Sequence, residues 1–305
     1  MKKNSIFKNC LQICLCVPLF GNAQTPLSTE KGNVLSEIFI LSGSASGKST
    51  VFNVQDLRSM LPESSLLKEN LTDFKSSGDG IWNKHSYFGI QLGAVAGKSR
   101  RESGKGSPLL RFGISYESGD YMNTFLSNES SFRFDTLYNT QGQIVYLRDS
   151  TREDHCNISF SSSIINAEFS VLLRTNTGRR WMFYAGAGMS AGISFNNLYQ
   201  VERYTINYLE EYLITETNNN NSSSPSKREK ADFTSENIQG KSSWVFNGFI
   251  PLGINFRIGK KSEFLKNFHL FSEFRPGVRV LDIQEGSTIT GSYLLGTFGL
   301  RTVWK

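Results

Sequence analysis

The feature that most constrains the fold is a strict two-residue alternation across residues 181–195, WMFYAGAGMSAGISF. One parity is apolar throughout: Trp181, Phe183, Ala185, Ala187, Met189, Ala191, Ile193 and Phe195. Apart from Met182 and Tyr184 at its start, the other set of alternate residues is glycine or serine: Gly186, Gly188, Ser190, Gly192 and Ser194. A period of two predicts a β-strand with one apolar face. A second face of glycine and serine, in place of charged residues, indicates a confined and hydrated space, as in strands that span a bilayer.

Six further segments repeat this alternation: residues 87–96, 109–117, 163–174, 244–258, 268–281 and 290–304. Pro251 falls on the polar face of the fourth of these and is expected to bend it. We therefore predict an all-β fold, an antiparallel transmembrane β-barrel of about eight strands and possibly ten. Because such barrels have an even strand number, an eighth strand is expected among residues 34–41 or 50–54. The alternative is that residues 24–80 thread the lumen as a plug.

The amino terminus has the pattern of an export signal. Lys2, Lys3 and Lys8 precede an apolar run at residues 10–20, and small residues follow at 21–23. The expected organisation is a signal peptide at 1–23, a polar segment at 24–83 that is a linker, a hidden strand or a plug, and the barrel at 84–305. Removing the signal leaves Cys156 as the single cysteine, and leaves 30 basic against 27 acidic residues. This near balance argues against nucleic acid as a partner.

The overall composition separates two kinds of membrane protein. The mean hydropathy is −0.30, and no stretch beyond the signal has the 18 or more apolar residues of a spanning helix. A barrel strand escapes this criterion because every second residue is polar. A helical membrane protein is excluded, whereas a membrane barrel is not.

Connection lengths predict the orientation. The links at residues 176–179 and 260–267 are short, as periplasmic turns are, whereas those at 118–163 and 196–243 are long and polar and are expected outside the cell. The tract 218–226, NNNNSSSPS, is expected to be mobile. Residues 132–134 and 144–147 flank a hairpin turn at 139–142, and they either extend the barrel above the membrane or raise the strand count to about ten.

Local motifs give little support for chemistry. Residues 42–50, SGSASGKST, lack the glycine spacing of a phosphate-binding loop and are interpreted as a flexible linker. His85, His155 and His269 have no second ligand at metal-site spacing and are interpreted as solvated rim residues. Cys156 is placed in a polar loop as a spectator. No metal and no cofactor are expected.

Charged residues on the polar strand faces form the candidate site. They are Arg111, Glu117, Glu168, Arg174, Arg257, Glu273, Arg275, Arg279 and Arg301. Charge inside a bilayer is costly unless it is paired or hydrated, so we expect these residues to line the lumen as an ion-pair network. The alternative is a selective pore. The glycines at 186, 188 and 192 are expected to leave room for the arginines opposite.

Several segments resemble a known family. They are 55–57 (QDL) with 61–67 (LPESSLL), 110–118 (LRFGISYES), 134–137 (FDTL), 180–188 (RWMFYAGAG) and 299–305 (GLRTVWK). Together they are similar to uncharacterised outer-membrane β-barrel proteins of the Bacteroidetes type. The resemblance implies an exported outer-membrane barrel and no catalytic residues. The final strand also resembles the carboxy-terminal strand that the outer-membrane assembly machinery recognises, which makes that machinery an expected partner during biogenesis.

Four functional hypotheses follow. The first is a non-enzymatic integral outer-membrane protein, in contact with outer-membrane lipid, with a structural or interaction role in the cell envelope. The second is a small-solute channel, and the third is a lipid-modifying barrel enzyme that would place one of the three histidines beside a serine. The fourth is a soluble β-sandwich, which would pack its apolar faces against each other.

Overall fold

The computed structural model describes most of the chain beyond its amino terminus. The described residues are 35–48, 52–76, 82–95, 108–138, 140–141, 144–175, 179–213, 223–259, 262, 265–283 and 287–303. The predicted signal peptide lies outside them and stays a prediction.

Eleven strands and two short helices make up the described residues. The strands are β1 (Leu35–Lys48), β2 (Lys75–Ser76), β3 (Trp82–Val95), β4 (Leu109–Tyr138), β5 (Ile144–Arg174), β6 (Trp181–Leu213), β7 (Ser223–Gln239), β8 (Ser243–Phe249), β9 (Leu252–Arg257), β10 (Phe268–Ile283) and β11 (Ser287–Val303). The helices are α1 (Val54–Met60) and α2 (Ser65–Lys68), and one 3-10 turn spans Leu265–Asn267. Among the residues just named, no helix is both long and apolar enough to cross a membrane.

The strands close into a ring. The order is β1, β3, β4, β5, β6, β8 with β9, β10 and β11, and β11 pairs back onto β1, all antiparallel. Counting β8 and β9 as one position, the ring has eight strands, which confirms the predicted antiparallel transmembrane β-barrel. We call the end that carries Leu35 and Val303 the inner end, and the opposite end the outer end.

The first strand of the ring comes from the amino-terminal segment. β1 pairs with β3 from Leu35↔Ala94 to Lys48↔Trp82, and with β11 along its other edge. The interpretation of residues 42–50 as a flexible linker is therefore wrong, because Ser42 to Lys48 continue this strand. The other candidate strand, 50–54, is not one, since Val54 begins α1.

The strand between β6 and β10 is interrupted at a proline. β8 ends at Phe249 and β9 begins at Leu252, because Pro251 has no backbone N–H to give to the ladder. The sheet stays bridged across the break: the Ile250 N–H donates to the Pro276 carbonyl at 2.9 Å, and the Gly186 N–H donates to the Pro251 carbonyl at 3.0 Å. The predicted distortion at Pro251 is thus a two-residue gap.

Outward positions of the ring carry an apolar belt. Its exposed large side chains are Ile40, Phe88, Ile90, Phe112, Ile114, Tyr116, Ile165, Phe169, Leu173, Trp181, Phe183, Met189, Ile193, Trp244, Phe246, Ile250, Leu252, Ile258, Leu270, Phe274, Val278 and Phe298. A soluble sandwich buries such residues between its sheets, and here they face outward instead. A belt of this kind is the surface that a membrane barrel presents to lipid.

Three strands run far beyond the ring at the outer end. β4, β5 and β6 have 30, 31 and 33 residues, whereas about 9–11 residues suffice to cross a bilayer. Residues 121–138 of β4, 144–160 of β5, 199–213 of β6 and all of β7 form what we call the outer sheet. The prediction that these segments are long polar connections is wrong, because they form paired strands. These strands extend the barrel at the outer end and add no spanning strand. Ser223 to Ser226 of the tract expected to be mobile begin β7, and 218–222 lie outside the described residues.

Strand irregularities mark the transition from ring to outer sheet. The β4–β5 register shifts between Asp120 and Met122, the β5–β6 register shifts between Ser161 and Ser163, and Asn196 in β6 has a φ of 52°. Gly119 has a φ of 151°, and a side chain there would meet His85 at 2.7 Å. Each bulge adds a residue and changes which parity points inward.

The connection between β1 and β3 folds back onto the outer sheet. Residues 52–76, which we call the cap segment, contain α1, α2 and β2, and β2 pairs with β4 at Ser127 and Leu126. Leu57 and Leu67 of the cap segment are fully buried in one cluster with Met122, Ile158 and other residues of β4 to β6. Each helix begins after a capping residue. The Asn53 side chain accepts a hydrogen bond from the Asp56 backbone N–H, and the Ser64 side chain accepts one from the Leu67 backbone N–H.

Candidate functional site

Two arginines and two glutamates fill the middle of the lumen. The Arg111 guanidinium donates to both oxygens of Glu273, at 2.7 and 2.9 Å, and also to Ser170 at 3.1 Å. Arg275 contacts Glu273 and donates to Glu168 at 2.9 Å. All four side chains are buried, and two positive charges meet two negative charges. We call this group the central cluster.

Tyrosine, phenylalanine and polar side chains complete the central cluster. The Tyr184 hydroxyl donates to Glu273 at 2.6 Å, and the Tyr87 hydroxyl donates to Glu168 at 3.0 Å. Gln91 and Ser115 also donate to Glu168. The Arg275 guanidinium carbon lies 5.1 Å from the centre of the Phe249 ring, within cation–π range. Each carboxylate therefore has several donors, which is the condition under which buried charge is tolerated.

A second group lies nearer the outer end. Glu117 accepts from Arg279 at 2.6 Å and from Asn166 at 3.0 Å, and its carboxylate is 3.0 Å from His85 Nε2. Arg279 also donates to Asn247 at 2.6 Å. The Arg279 guanidinium lies 4.4 Å from one ring, that of Tyr293, and 5.2 Å from a second, that of Tyr121. A cavity of about 30 Å³ beside it has room for about one water molecule.

A third group lies near the inner end. Glu37 of β1 accepts from Arg174 at 2.6 Å and from Arg301 at 2.7 and 2.9 Å. Arg257 is half-buried in β9, and His269, which pairs with it in register, is buried. The structure thus places all nine charged residues of the candidate site on inward positions, in three groups, with Arg257 at the edge of the third.

Several members of the site were missed from the sequence. Glu37 pairs with two arginines. Its strand has no polar face that the sequence would reveal, because Phe39 and Leu41 share the buried face of Glu37. The prediction that His85 is a solvated rim residue is wrong, because the side chain is buried against Glu117. The sequence could have assigned His85 to the lumen, because it lies on the same alternating face of β3 as Tyr87 and Gln91.

The interpretation of His155, His269 and Cys156 also needs correction. His155 is largely buried in β5 and contacts Glu153 at 3.2 Å, and His269 is buried in β10. Cys156 lies on β5 in the apolar cluster under the cap segment, where burial raises the pKa of its thiol to about 11. The contacts of His85 and His155 described above are with charged residues and not with serine. Among the described residues, no group of three or more His, Cys, Asp or Glu side chains is placed to hold a metal ion.

The glycines of β6 do not make room for arginines. A side chain at Gly188 would meet the Phe249 ring at 2.4 Å, and one at Gly192 would meet Asn166 at 2.3 Å. One at Gly186 would meet the Val171 carbonyl at 2.0 Å. The space is therefore taken by Phe249, Asn166 and neighbouring backbone, and Phe249 in turn packs on Arg275.

A separate set of polar contacts holds the cap segment to the outer sheet. Glu236 of β7 accepts from Ser64 at 2.8 Å, from Ser65, and from the Leu66 N–H at 3.5 Å. Burial alone would raise the pKa of Glu236, but the hydrogen bonds from Ser65 and Ser64 outweigh it and lower the pKa. Arg203 of β6 also pairs with Glu69.

The lowered pKa of Glu236 makes docking of the cap segment sensitive to acid. A carboxylate whose pKa is lowered by folding stabilises the contact above its ordinary pKa of 4.5 and loses this contribution as the pH falls through the lowered value. Hydrogen exchange of residues 52–76, corrected for intrinsic rates, should therefore accelerate in acid. Glu236→Gln should accelerate it at neutral pH and reduce the pH dependence to what the Arg203–Glu69 pair contributes. Glu129→Gln, at an exposed site on β4, should behave like the parent protein, and equal effects of the two variants would contradict the prediction.

The comparisons with known proteins add little to this geometry. No family model matches the chain, and no curated protein matches it. Among solved structures, the attachment invasion locus protein Ail of Yersinia pestis is similar with 10% identity and a TM-score of 0.23, covering 87% of this chain and 98% of that one. The transport unit of the autotransporter AIDA-I from Escherichia coli gives 11% identity and a TM-score of 0.22, covering 97% of both chains. These scores are low, and the description of the fold rests on the strand pairing. Membership of the Bacteroidetes-type family stays a prediction.

Proposed function

We propose that this protein is a non-conducting outer-membrane barrel, without catalytic activity, that anchors the outer sheet at the cell surface for interaction with a partner. The observation that carries the proposal is the combination of a lumen filled by paired charges with three strands that continue far beyond the membrane. A pore protein needs an open lumen, and a purely structural barrel has no need of strands three times the spanning length.

The apolar belt supports the membrane location. Its side chains come from all eight positions of the ring, whereas the buried charges lie on the opposite faces of the ring strands, chiefly β1, β4, β5, β10 and β11. Exposing such a surface to water is unfavourable, and lipid tails remove it from water. The two longest excursions from the ring, residues 118–162 and 196–242, lie at the outer end, as the long extracellular loops of such barrels do, so the outer sheet faces the outside. The last strand, β11, closes the ring against β1 and is the element we expect the assembly machinery to recognise.

The lumen supports a non-conducting barrel. An eight-stranded ring is just wide enough for side chains to fill. Here Arg111, Arg275 and Tyr87 are among the largest fully buried side chains of the described residues. Because each guanidinium of the central cluster is held by a carboxylate, moving one aside would leave an unpaired charge.

The outer sheet supports an interaction role. Using about 3.3 Å per residue, its strands of 15 to 18 residues reach roughly 50 Å along the strand direction. Near the β4–β5 turn, Phe132, Leu137 and Tyr138 are exposed, and Phe233 of β7 is exposed as well. Exposed aromatic side chains are typical of protein interaction surfaces.

Planar-bilayer recording tests the closed lumen. We expect the refolded protein to insert, with heat-modifiable migration on gels, and to give no steady ion conductance, because the charges of the central cluster are paired. Stable channels in protein that migrates as folded would contradict the proposal and favour the small-solute channel.

Labelling in intact cells tests the orientation. Phe132→Cys, on the outer sheet, should react with a membrane-impermeant maleimide, whereas Leu265→Cys, in an inner-end turn, should react only after permeabilisation. Both parent side chains are exposed, at 62% for Phe132 and 41% for Leu265, so neither cysteine is shielded by the protein itself. The native Cys156 is fully buried and should stay unlabelled. Labelling of Leu265→Cys alone in intact cells would show the reverse orientation.

A further inference from the structure

Charge is distributed very unevenly between the two ends of the barrel. The three inner-end connections, residues 96–108, 175–180 and 258–267, contain nine basic and two acidic residues. The outer-end segments, residues 49–81, 118–162, 196–242 and 284–286, contain nineteen acidic and eleven basic residues. Under the proposed orientation, the inner end is positive and borders the phosphate groups of the inner leaflet. Basic residues near an anionic leaflet are attracted to it.

One inner-end connection forms a surface cleft with both basic and aromatic residues. The cleft has a volume of about 370 Å³ and is lined by Thr175, Arg179, Arg180, Trp181 and Phe183. Trp181 and Phe183 belong to the apolar belt and are 53% and 57% exposed, so under the proposed membrane location they face the hydrocarbon. The two arginines directly precede them, which in that location puts them at the level of the lipid headgroups.

The cleft is held in place by its neighbours. The Arg180 guanidinium lies 4.4 Å from the centre of the Phe256 ring, and the Trp181 ring lies 4.5 Å from the same ring. The Arg180 carbonyl accepts from the Arg257 N–H at 2.9 Å. Thr175 and Phe183 exchange hydrogen bonds at 2.9 and 3.0 Å. This ordering lowers the entropy that binding would otherwise cost.

We propose that this cleft binds the phosphate headgroup of an anionic glycerophospholipid in the inner leaflet. The guanidinium groups of Arg179 and Arg180 hold the phosphate, and Trp181 with Phe183 contacts the upper part of the acyl chains. Arginine suits phosphate because it offers several N–H donors in a planar arrangement, and tryptophan suits the membrane interface. The proposal rests on the membrane location proposed above.

Fluorescence quenching by brominated lipid tests the site. A variant that keeps Trp181, with Trp82, Trp244 and Trp304 replaced by phenylalanine, is reconstituted in digalactosyldiacylglycerol vesicles with a small fraction of dibrominated phosphatidylglycerol or dibrominated galactolipid. The apparent association constant for the phosphate lipid should exceed that for the galactolipid by about fivefold per arginine. Arg179→Gln and Arg180→Gln should each reduce the preference about fivefold, and 1 M salt should nearly abolish it.

A second single-tryptophan protein supplies the control. Trp244 is 57% exposed in the belt at the outer end, away from the arginines of the inner end. Its quenching should therefore show no preference for the phosphate lipid. Equal quenching of Trp181 by both lipids, or an unchanged preference in the arginine variants, would overturn the proposal. Displacement by inorganic phosphate, beyond the effect of chloride at equal ionic strength, would show that the cleft takes free phosphate and not lipid. Gel migration of the same samples reports insertion, so failure of the membrane location is seen separately.

Discussion

Glu273→Gln is expected to lower the free energy of unfolding by about 3–5 kcal/mol, because it leaves Arg111 and Arg275 as buried charges with too few acceptors. The substitution keeps the shape of the side chain, so the loss is electrostatic and not a cavity effect. Urea unfolding of the refolded protein in vesicles, followed by gel migration and tryptophan fluorescence, measures it.

An ion pair of the outer sheet supplies the control for Glu273→Gln. Arg133 and Asp149 pair at 2.9 Å on β4 and β5, and the side chain of Arg133 is 52% exposed. Asp149→Asn should cost less than about 1 kcal/mol, because solvent screens an exposed pair. If both variants cost the same, the central cluster does not hold the barrel together and the lumen is hydrated.

Leu252→Arg is expected to cost about 2–4 kcal/mol if the side chain lies near the middle of the bilayer, since a guanidinium must then enter hydrocarbon. Leu252 lies in the apolar belt on β9 and is 42% exposed. The same urea unfolding in vesicles measures the loss, together with the yield of inserted protein.

Leu137→Arg is the matched control for Leu252→Arg. Leu137 is an exposed leucine of similar accessibility, 49%, on the outer sheet. In water its replacement should change the free energy of unfolding by no more than about 0.5 kcal/mol. Equal costs for the two leucines would show that no lipid covers the belt.

The seven strands that could be predicted from sequence share one property. Their outward faces are largely apolar, and this makes the alternation visible along the chain. Arg111, Glu168 and Glu273 could therefore be assigned to the lumen. Their partners could not, because Arg111 and Glu273 are 162 residues apart and meet only when the ring closes.

The elements that were missed lack that signal. β1 carries Phe39 and Leu41 on its lumen face, so apolar residues occur on both of its sides. The outer parts of β4 to β6 face water, and their bulges change the parity, so they resemble polar loops. The helices of the cap segment have seven and four residues, too short to be stable alone, and depend on packing against strands distant in sequence.

The position of the cap segment has a consequence for the order of assembly. Leu57 and Leu67 are translated before β4, β5 and β6, yet these strands supply the surface that buries them. The ring likewise seals only when the last strand reaches the first. Contacts so distant in sequence make folding slow. The cap segment must therefore stay unburied until β4 to β6 are in place, which is the interval in which a holding chaperone would protect it.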